Sequence, residues 1–300
     1  MTQQPSTPRP TLEAAVTAYL AELEGKNRSA ATLTAYRTDL RQFLTWLDET
    51  NGTIETAADV RRADISEYLT HLGRSGRSGV SRQRKLTAIR GLFAYLEAEG
   101  LIEKSPALNV APPKREQHEP VALRPDEYAR MLNLARHSSR DSCILSLFLR
   151  LGLRVSELCA LQLEDVDQVA GTLTVRSGKG KKDRSIEIDR KTLSALKRWV
   201  AERPAVEHDH LFTSDRNLNY RPLSIRGARW LVSKYLDQAG ITKKASCHTL
   251  RHTCATQRYA NGAPLIVIQR LLGHADLATT QRYLHPERLD TKKVMEATNP

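Results

Sequence analysis

Residues 171–188 read GTLTVRSGKGKKDRSIEI and interrupt a chain otherwise patterned for helices. TLTVR and RSIEI alternate apolar and polar residues on either side of SGKGKKD, a turn rich in glycine and lysine. Period-two alternation across such a turn predicts a β-hairpin. The expected fold class is therefore mainly α with a small β-hairpin or sheet.

Working outward, helical patterning begins near Pro125, continues through 142–151 and restarts at Arg154. Beyond the hairpin it returns at about 190–203, 224–239, 247–261 and 264–272, with a short stretch near 277–284. Upstream, KSPALNVAPPKREQHEP is broken by prolines and charge and reads as a linker. Before it, Leu12 to Leu23 forms a short helical stripe. Ser29 is placed to cap a second helix carrying Leu33, Tyr36, Leu40, Phe43, Leu44 and Leu47. Ile65, Leu69 and Leu72 mark a third. A fourth runs from about Ser78 to Glu99 on Leu86, Ile89, Phe93 and Leu96, with Gly100 as its stop. The expected organisation is a flexible start at 1–10, a four-helix domain at 11–102, a linker at 103–120 and a second, mostly helical domain at 121–300.

Forty per cent apolar residues in 300 is enough for genuine cores. No run of about 18 apolar residues occurs, and MTQQPSTPRP lacks the apolar heart of a secretory leader. Cys143, Cys159, Cys247 and Cys254 show no CxxC spacing. Together these features predict a cytoplasmic protein with reduced thiols and no membrane partner. The net charge of +12 is unevenly placed: residues 1–122 hold 16 basic and 15 acidic side chains, residues 123–300 hold 30 and 19. A basic half of this kind points to a polyanion, nucleic acid ahead of a membrane surface.

The stretch from Arg74 to Arg90 contains Arg77, Arg82, Arg84 and Lys85 and no acid. At about 100° per residue Gln83, Arg84 and Thr87 point away from the apolar stripe, with Lys85 and Arg90 at its flanks and the small Ala88 and Gly91 on the outer side. Two readings fit, a helix laid along a DNA groove or a solvated basic face.

Among chemistry-bearing residues, His248 and His252 stand four apart, like two zinc ligands. Thr249 occupies the place where a zincin needs glutamate, and Arg251 would repel a cation, so no metal site is expected. No G-x-S-x-G or P-loop pattern occurs. What remains is a set of cations and one tyrosine. Arg154 follows Gly152 at a helix start, where free amides assist anion binding. Lys179 lies at the hairpin tip, with Lys181 and Lys182 beside it. His248 and Arg251 are one helical turn apart, His274 ends LLGH, and Tyr283 follows nine residues later. Two arginines can fork onto phosphate oxygens, a lysine can protonate a leaving oxygen, a histidine can handle the attacking proton, and a tyrosine can attack phosphorus.

Through GLRVSEL, the GKG hairpin, HTLRH, LLGHADLATT and QRYLH, the chain resembles the tyrosine recombinase (phage integrase) family, especially its compact Xer-like branch. The resemblance covers most of the chain, specifically in 150–285 and mainly in architecture before residue 110. It implies a helical core-binding domain joined to a catalytic domain, and site-specific DNA cleavage and rejoining. Tyr283 would form a 3′-phosphotyrosyl link and Arg154 and Arg251 would stabilise the transition state. Lys179 would act as general acid, His248 would assist proton transfer, and His274 would hydrogen-bond the phosphate. Glu157 would support the arginines. Arg77, Arg82, Gln83, Arg84, Lys85, Thr87, Arg90, Lys181 and Lys182 are the implied DNA contacts.

The implied partner is duplex DNA with an inverted-repeat site, bound by a homotetramer or by a heterotetramer with a related recombinase. No cofactor is implied, because the covalent link conserves the phosphodiester. The tail ERLDTKKVMEATNP fits either a segment docking on a neighbouring subunit or a frayed terminus. Two rivals share the chemistry or the fold: a strand-relaxing enzyme of the type IB topoisomerase kind, and a non-catalytic DNA-binding regulator.

Overall fold

The computed structural model describes residues 10–52, 54, 56–114, 121–176, 183–214 and 220–273. The chain divides into two compact units, Met1–His118 and Glu119–Pro300. Among the described residues no helix is long and apolar enough to cross a membrane.

The first unit is built from four helices, α1 (Leu12–Gly25), α2 (Ala30–Asn51), α3 (Arg62–Arg74) and α4 (Gly79–Ala98). Local chemistry fixes their starts. Ser29 Oγ accepts from the Thr32 amide at 3.2 Å, and Ser78 Oγ from the Ser81 amide at 3.3 Å. The Asp64 carboxylate accepts from the Arg61 amide at 2.7 Å. Each satisfies a donor that a helix start leaves open. Leu40, Phe43, Ile65, Leu86, Ile89 and Phe93 form the fully buried centre, and Tyr68 stacks obliquely between Phe43 and Trp46.

Four expectations for this unit need correction. Lys85 is only 4% exposed, and its Nζ donates to Asp39 Oδ1 at 2.9 Å and to Gln42. It is an interior ion pair rather than a DNA contact. Arg90 is half-buried and donates to the carbonyls of Ala107 (3.4 Å) and Val110 (2.5 Å). Ala107 and Val110 are themselves buried in the helical core, so the chain up to Val110 packs on this unit and the stretch from 103 is not all linker. Ala88 and Gly91 are not on an open side: Ala88 is fully buried, and a Cβ on Gly91 would lie 2.0 Å from Tyr19 Oη. Of the remaining expected contacts, Arg77, Arg84 and Thr87 are exposed, while Arg82 and Gln83 are half-buried.

A testable consequence concerns Lys85. Among the described residues, removing it leaves Asp39 buried with only the half-exposed Arg84 as an ionic partner. Lys85→Ala should therefore lower unfolding stability by about 3 kcal/mol, read by urea denaturation. The salt dependence of DNA affinity should not change, whereas loss of a true phosphate contact would lower the log–log slope by about 1.

The second unit begins with α5 (Pro125–Leu134) and α6 (Ser139–Ser146), which passes directly into a π-turn at Leu147–Leu151 and then α7 (Val155–Ala160). The predicted hairpin is present as β2 (Thr172–Val175) and β3 (Arg184–Glu187), pairing Thr172 with Glu187 and Val175 with Arg184. A short β1 (Val166–Asp167) extends it to an antiparallel sheet of order β1-β2-β3. Among the described residues four more helices follow: α8 (Arg190–Glu202), α9 (Ile225–Gln238), α10 (Cys247–Ala260) and α11 (Leu265–Leu272). Leu173 and Ile186 from the sheet join Phe148, Leu196, Phe212, Leu231 and Leu250 in one core. Within α10, residues from Cys247 to Thr256 are buried apart from His248, including Arg251 and His252. The second histidine and Cys247 thus act in packing. Residues 277–284, where a short helix was expected, lie outside the described residues.

Candidate active site

Local backbone geometry sets Arg154 in place. After the π-turn, Gly152 takes φ +63°, the left-handed region that glycine enters without strain. A Cβ there would also meet Leu272 Cδ2 at 2.6 Å, so glycine lets this segment close on the end of α11. Arg154 then caps α7. Its amide donates to Glu157 Oε2 at 2.8 Å and its Nη1 to Glu157 Oε1 at 2.6 Å. With 41% of its side chain exposed, Arg154 stays within reach of a phosphate.

Glu157 is the hub. Arg184, at the start of β3, donates through Nη1 and Nη2 to its two oxygens at 3.0 and 2.9 Å. Arg251 Nη1 stands 3.9 Å from Oε2. Burial by itself would raise the Glu157 pKa, but the bonds from Arg184 and Arg154 together outweigh it and bring it to about 2. Since this lies below the unfolded-state value, the carboxylate's stabilising effect is complete above about pH 5 and is lost as pH falls through 2.

The same three arginines converge on consecutive carbonyls. Leu271 O accepts from Arg184 Nε at 3.1 Å, Leu272 O from Arg251 Nη2 at 2.6 Å, and Gly273 O from Arg154 Nη2 at 3.2 Å. Last-turn carbonyls have no intrahelical partner and carry the negative end of the helix dipole. Cations there are favoured on both counts. Arg251 also donates to Gly152 O at 2.5 Å and is 2% exposed, so the turn before α7, α10 and the end of α11 are tied through one guanidinium.

His248, one turn before Arg251 on α10, is exposed, yet enough of its ring is shielded for lost hydration to lower its pKa. The charges of Arg251 and Arg154 lower it further. A neutral imidazole beside two guanidiniums can accept a proton at neutral pH.

The structure thus gathers Arg154, Glu157, Arg251 and His248 into one neighbourhood. Lys179, Lys181, Lys182, His274 and Tyr283 lie outside the described residues. Arg184 was not foreseen. A signal existed, because Arg184 shares strand parity with the inward-facing Ile186 and an arginine on that face needs partners. Among the described residues no three histidine, cysteine or acidic side chains gather in a metal-holding group.

Comparison with known proteins identifies the family. Residues 122–289 match the model described as "Phage integrase family", and residues 16–100 match "Phage integrase, N-terminal SAM-like domain". A protein of Thermodesulfovibrio yellowstonii named tyrosine recombinase XerC is 36% identical over 287 residues, covering 92% of each chain. The tyrosine recombinase XerD of Listeria monocytogenes is 31% identical, covering 91% of this chain and 93% of that one. Among solved structures, XerA recombinase is 30% identical with a TM-score of 0.55, covering 96% of this chain and 99% of that one. A lambda integrase tetramer bound to a Holliday junction shares the fold at a TM-score of 0.77 and 20% identity, covering 94% of this chain and 79% of that one.

Proposed function

Because the chain belongs to the phage integrase family, we propose that it is a tyrosine-type site-specific DNA recombinase, with Tyr283 as its nucleophile. The observation that carries the reading is the convergence of Arg154 and Arg251 on Glu157 and on the end of α11, two residues before His274 and eleven before Tyr283 in the sequence.

In the proposed reaction Tyr283 Oη attacks the scissile phosphorus and gives up its proton with help from His248. The bond to the 5′-oxygen breaks, and Lys179 supplies the proton that leaves a free 5′-hydroxyl. Arg154 and Arg251 stabilise the extra negative charge on the nonbridging oxygens in the transition state, assisted by His274. Attack by the 5′-hydroxyl of a partner strand on the phosphotyrosyl ester reverses these steps and frees Tyr283. One ester replaces another, so no ATP is consumed. Residues 11–110 and 121–300 serve as the DNA-gripping and catalytic parts, working in the cytoplasm as a tetramer on an inverted-repeat site. Tetramers of this chain alone and mixed tetramers with a related recombinase are both compatible with this chemistry. Lys181, Lys182 and the exposed Arg77 and Arg84 supply phosphate contacts.

The test starts by enriching a bound site from random duplexes and nicking it beside the cleavage position, so that the short fragment diffuses away. A detergent-stable protein–DNA adduct is expected, with strand exchange on intact paired sites. Absence of any adduct would favour a non-catalytic regulator. Relaxation of a supercoiled plasmid lacking the site, without strand exchange, would favour a relaxing enzyme.

A narrower prediction concerns Lys179. Lys179→Ala should slow adduct formation by about 10²- to 10⁴-fold, the usual worth of general acid catalysis. A substrate with sulfur at the 5′-bridging position has a better leaving group and should recover most of the rate. Failure of that rescue with DNA binding intact would remove the general-acid role.

A further inference from the structure

We infer that Arg184 is a positioning residue for DNA cleavage: its guanidinium locks Glu157, and through it Arg154 and Arg251, onto the C-terminal end of α11. This rests on the recombinase reading above and adds a residue to it.

The geometry is complete for such a role. Arg184 forks onto both Glu157 oxygens at 3.0 and 2.9 Å and spends its Nε on Leu271 O at 3.1 Å. Its side chain is 13% exposed, far less open than that of Arg154. Backbone packing holds it from the other side: a Cβ on Gly273, which sits at φ +63°, would lie 2.8 Å from its Nη1. Covalently, Arg184 opens β3, only five residues after Lys179, and Gly273 immediately precedes His274. One planar group therefore links the strand that follows the lysine hairpin, the carboxylate holding the phosphate-binding arginines, and the segment that leads to the nucleophile.

Lysine cannot reproduce this. An ammonium is a point charge, and it cannot fork onto a carboxylate while holding a carbonyl in the same plane. Without Arg184 the half-buried Glu157 would keep Arg154 and its amide at the start of α7 and the more distant Arg251 from α10. Its carboxylate would then lose the largest influence opposing burial, and its pKa would rise.

The test uses the full chain and the nicked duplex enriched by the wild type. Arg184→Ala should bind this duplex within about threefold of wild type, while adduct formation at saturating DNA slows by about 100-fold, the effect of a small misplacement of reacting groups. Added methylguanidine should restore part of the rate, and Arg184→Lys should recover less than about a tenth of it. Thermal unfolding identifies a temperature at which each variant is folded. If Arg184→Ala does not fold, Arg184→Lys decides, and a wild-type rate in it overturns the inference. An adduct rate within about threefold of wild type in folded Arg184→Ala, or recovery by raising DNA concentration alone, also overturns it. Failure of the wild type itself to form an adduct would instead defeat the recombinase reading.

Discussion

Replacing Tyr283 with phenylalanine is expected to abolish detergent-stable adducts on the nicked duplex while DNA affinity stays within about twofold of wild type. The substitution removes one oxygen and keeps the ring, so packing around the side chain is preserved. Affinity for duplex DNA comes chiefly from lysine and arginine contacts to phosphates, which are untouched. Without a nucleophile there is no covalent intermediate, and the loss should be on the order of 10⁴-fold or more. Chain length permits the role: Tyr283 follows Gly273 by ten residues, which can span up to roughly 33 Å when extended. A structural tyrosine would behave otherwise, with lower unfolding stability and residual adduct. Gel analysis of adducts and a binding titration on the same protein separate the two outcomes.

The fold was legible wherever a local rule decides. Ser29 and Ser78 announce helix starts by their own side chains, and the hairpin announces itself by alternation and a glycine-lysine turn. What the sequence concealed depends on partners remote along the chain. Lys85 sits beside Leu86 and Ile89 on the helical wheel, so whether it faces DNA or the interior turns on Asp39, 46 residues earlier. Arg90 reads as a DNA contact at the flank of the stripe because its acceptors, Ala107 and Val110, sit in a stretch whose prolines suggest a linker. Gly91 reads as a small residue on the outer side of α4, yet Tyr19 from α1 packs against it.

The candidate site divides the same way. Arg154, His248 and Arg251 were visible as residue types in a characteristic order, and the structure adds why two of the arginines are held where they are. Three guanidiniums would repel one another in a low-dielectric pocket unless matched by negative charge. Glu157 provides one full charge, and the carbonyls of Leu271, Leu272 and Gly273 provide the dipolar remainder. No periodicity in the sequence advertises that a helix end will serve as a counter-charge. One helix end, the last turn of α11, thus accepts from all three guanidiniums.

Arg251 and Arg154 should therefore respond differently to the same substitution. Arg251→Lys retains the charge but offers one nitrogen where the native side chain donates to both Gly152 O and Leu272 O. At least one buried carbonyl loses its partner, at about 1–3 kcal/mol in unfolding stability. The phosphate loses a preorganised donor at the same time, and adduct formation should fall by about 10²- to 10³-fold. Arg154→Lys should show a comparable kinetic loss with a much smaller stability change, because the native side chain is 41% exposed and its amide keeps the bond to Glu157 Oε2. Urea denaturation and single-turnover adduct formation, run on both variants, test the distinction. Equal stability losses in the two would mean that Arg251 is not the tie between the turn before α7, α10 and the end of α11. A normal adduct rate in Arg251→Lys would mean that the transition-state charge is borne elsewhere, leaving Arg251 a purely architectural role.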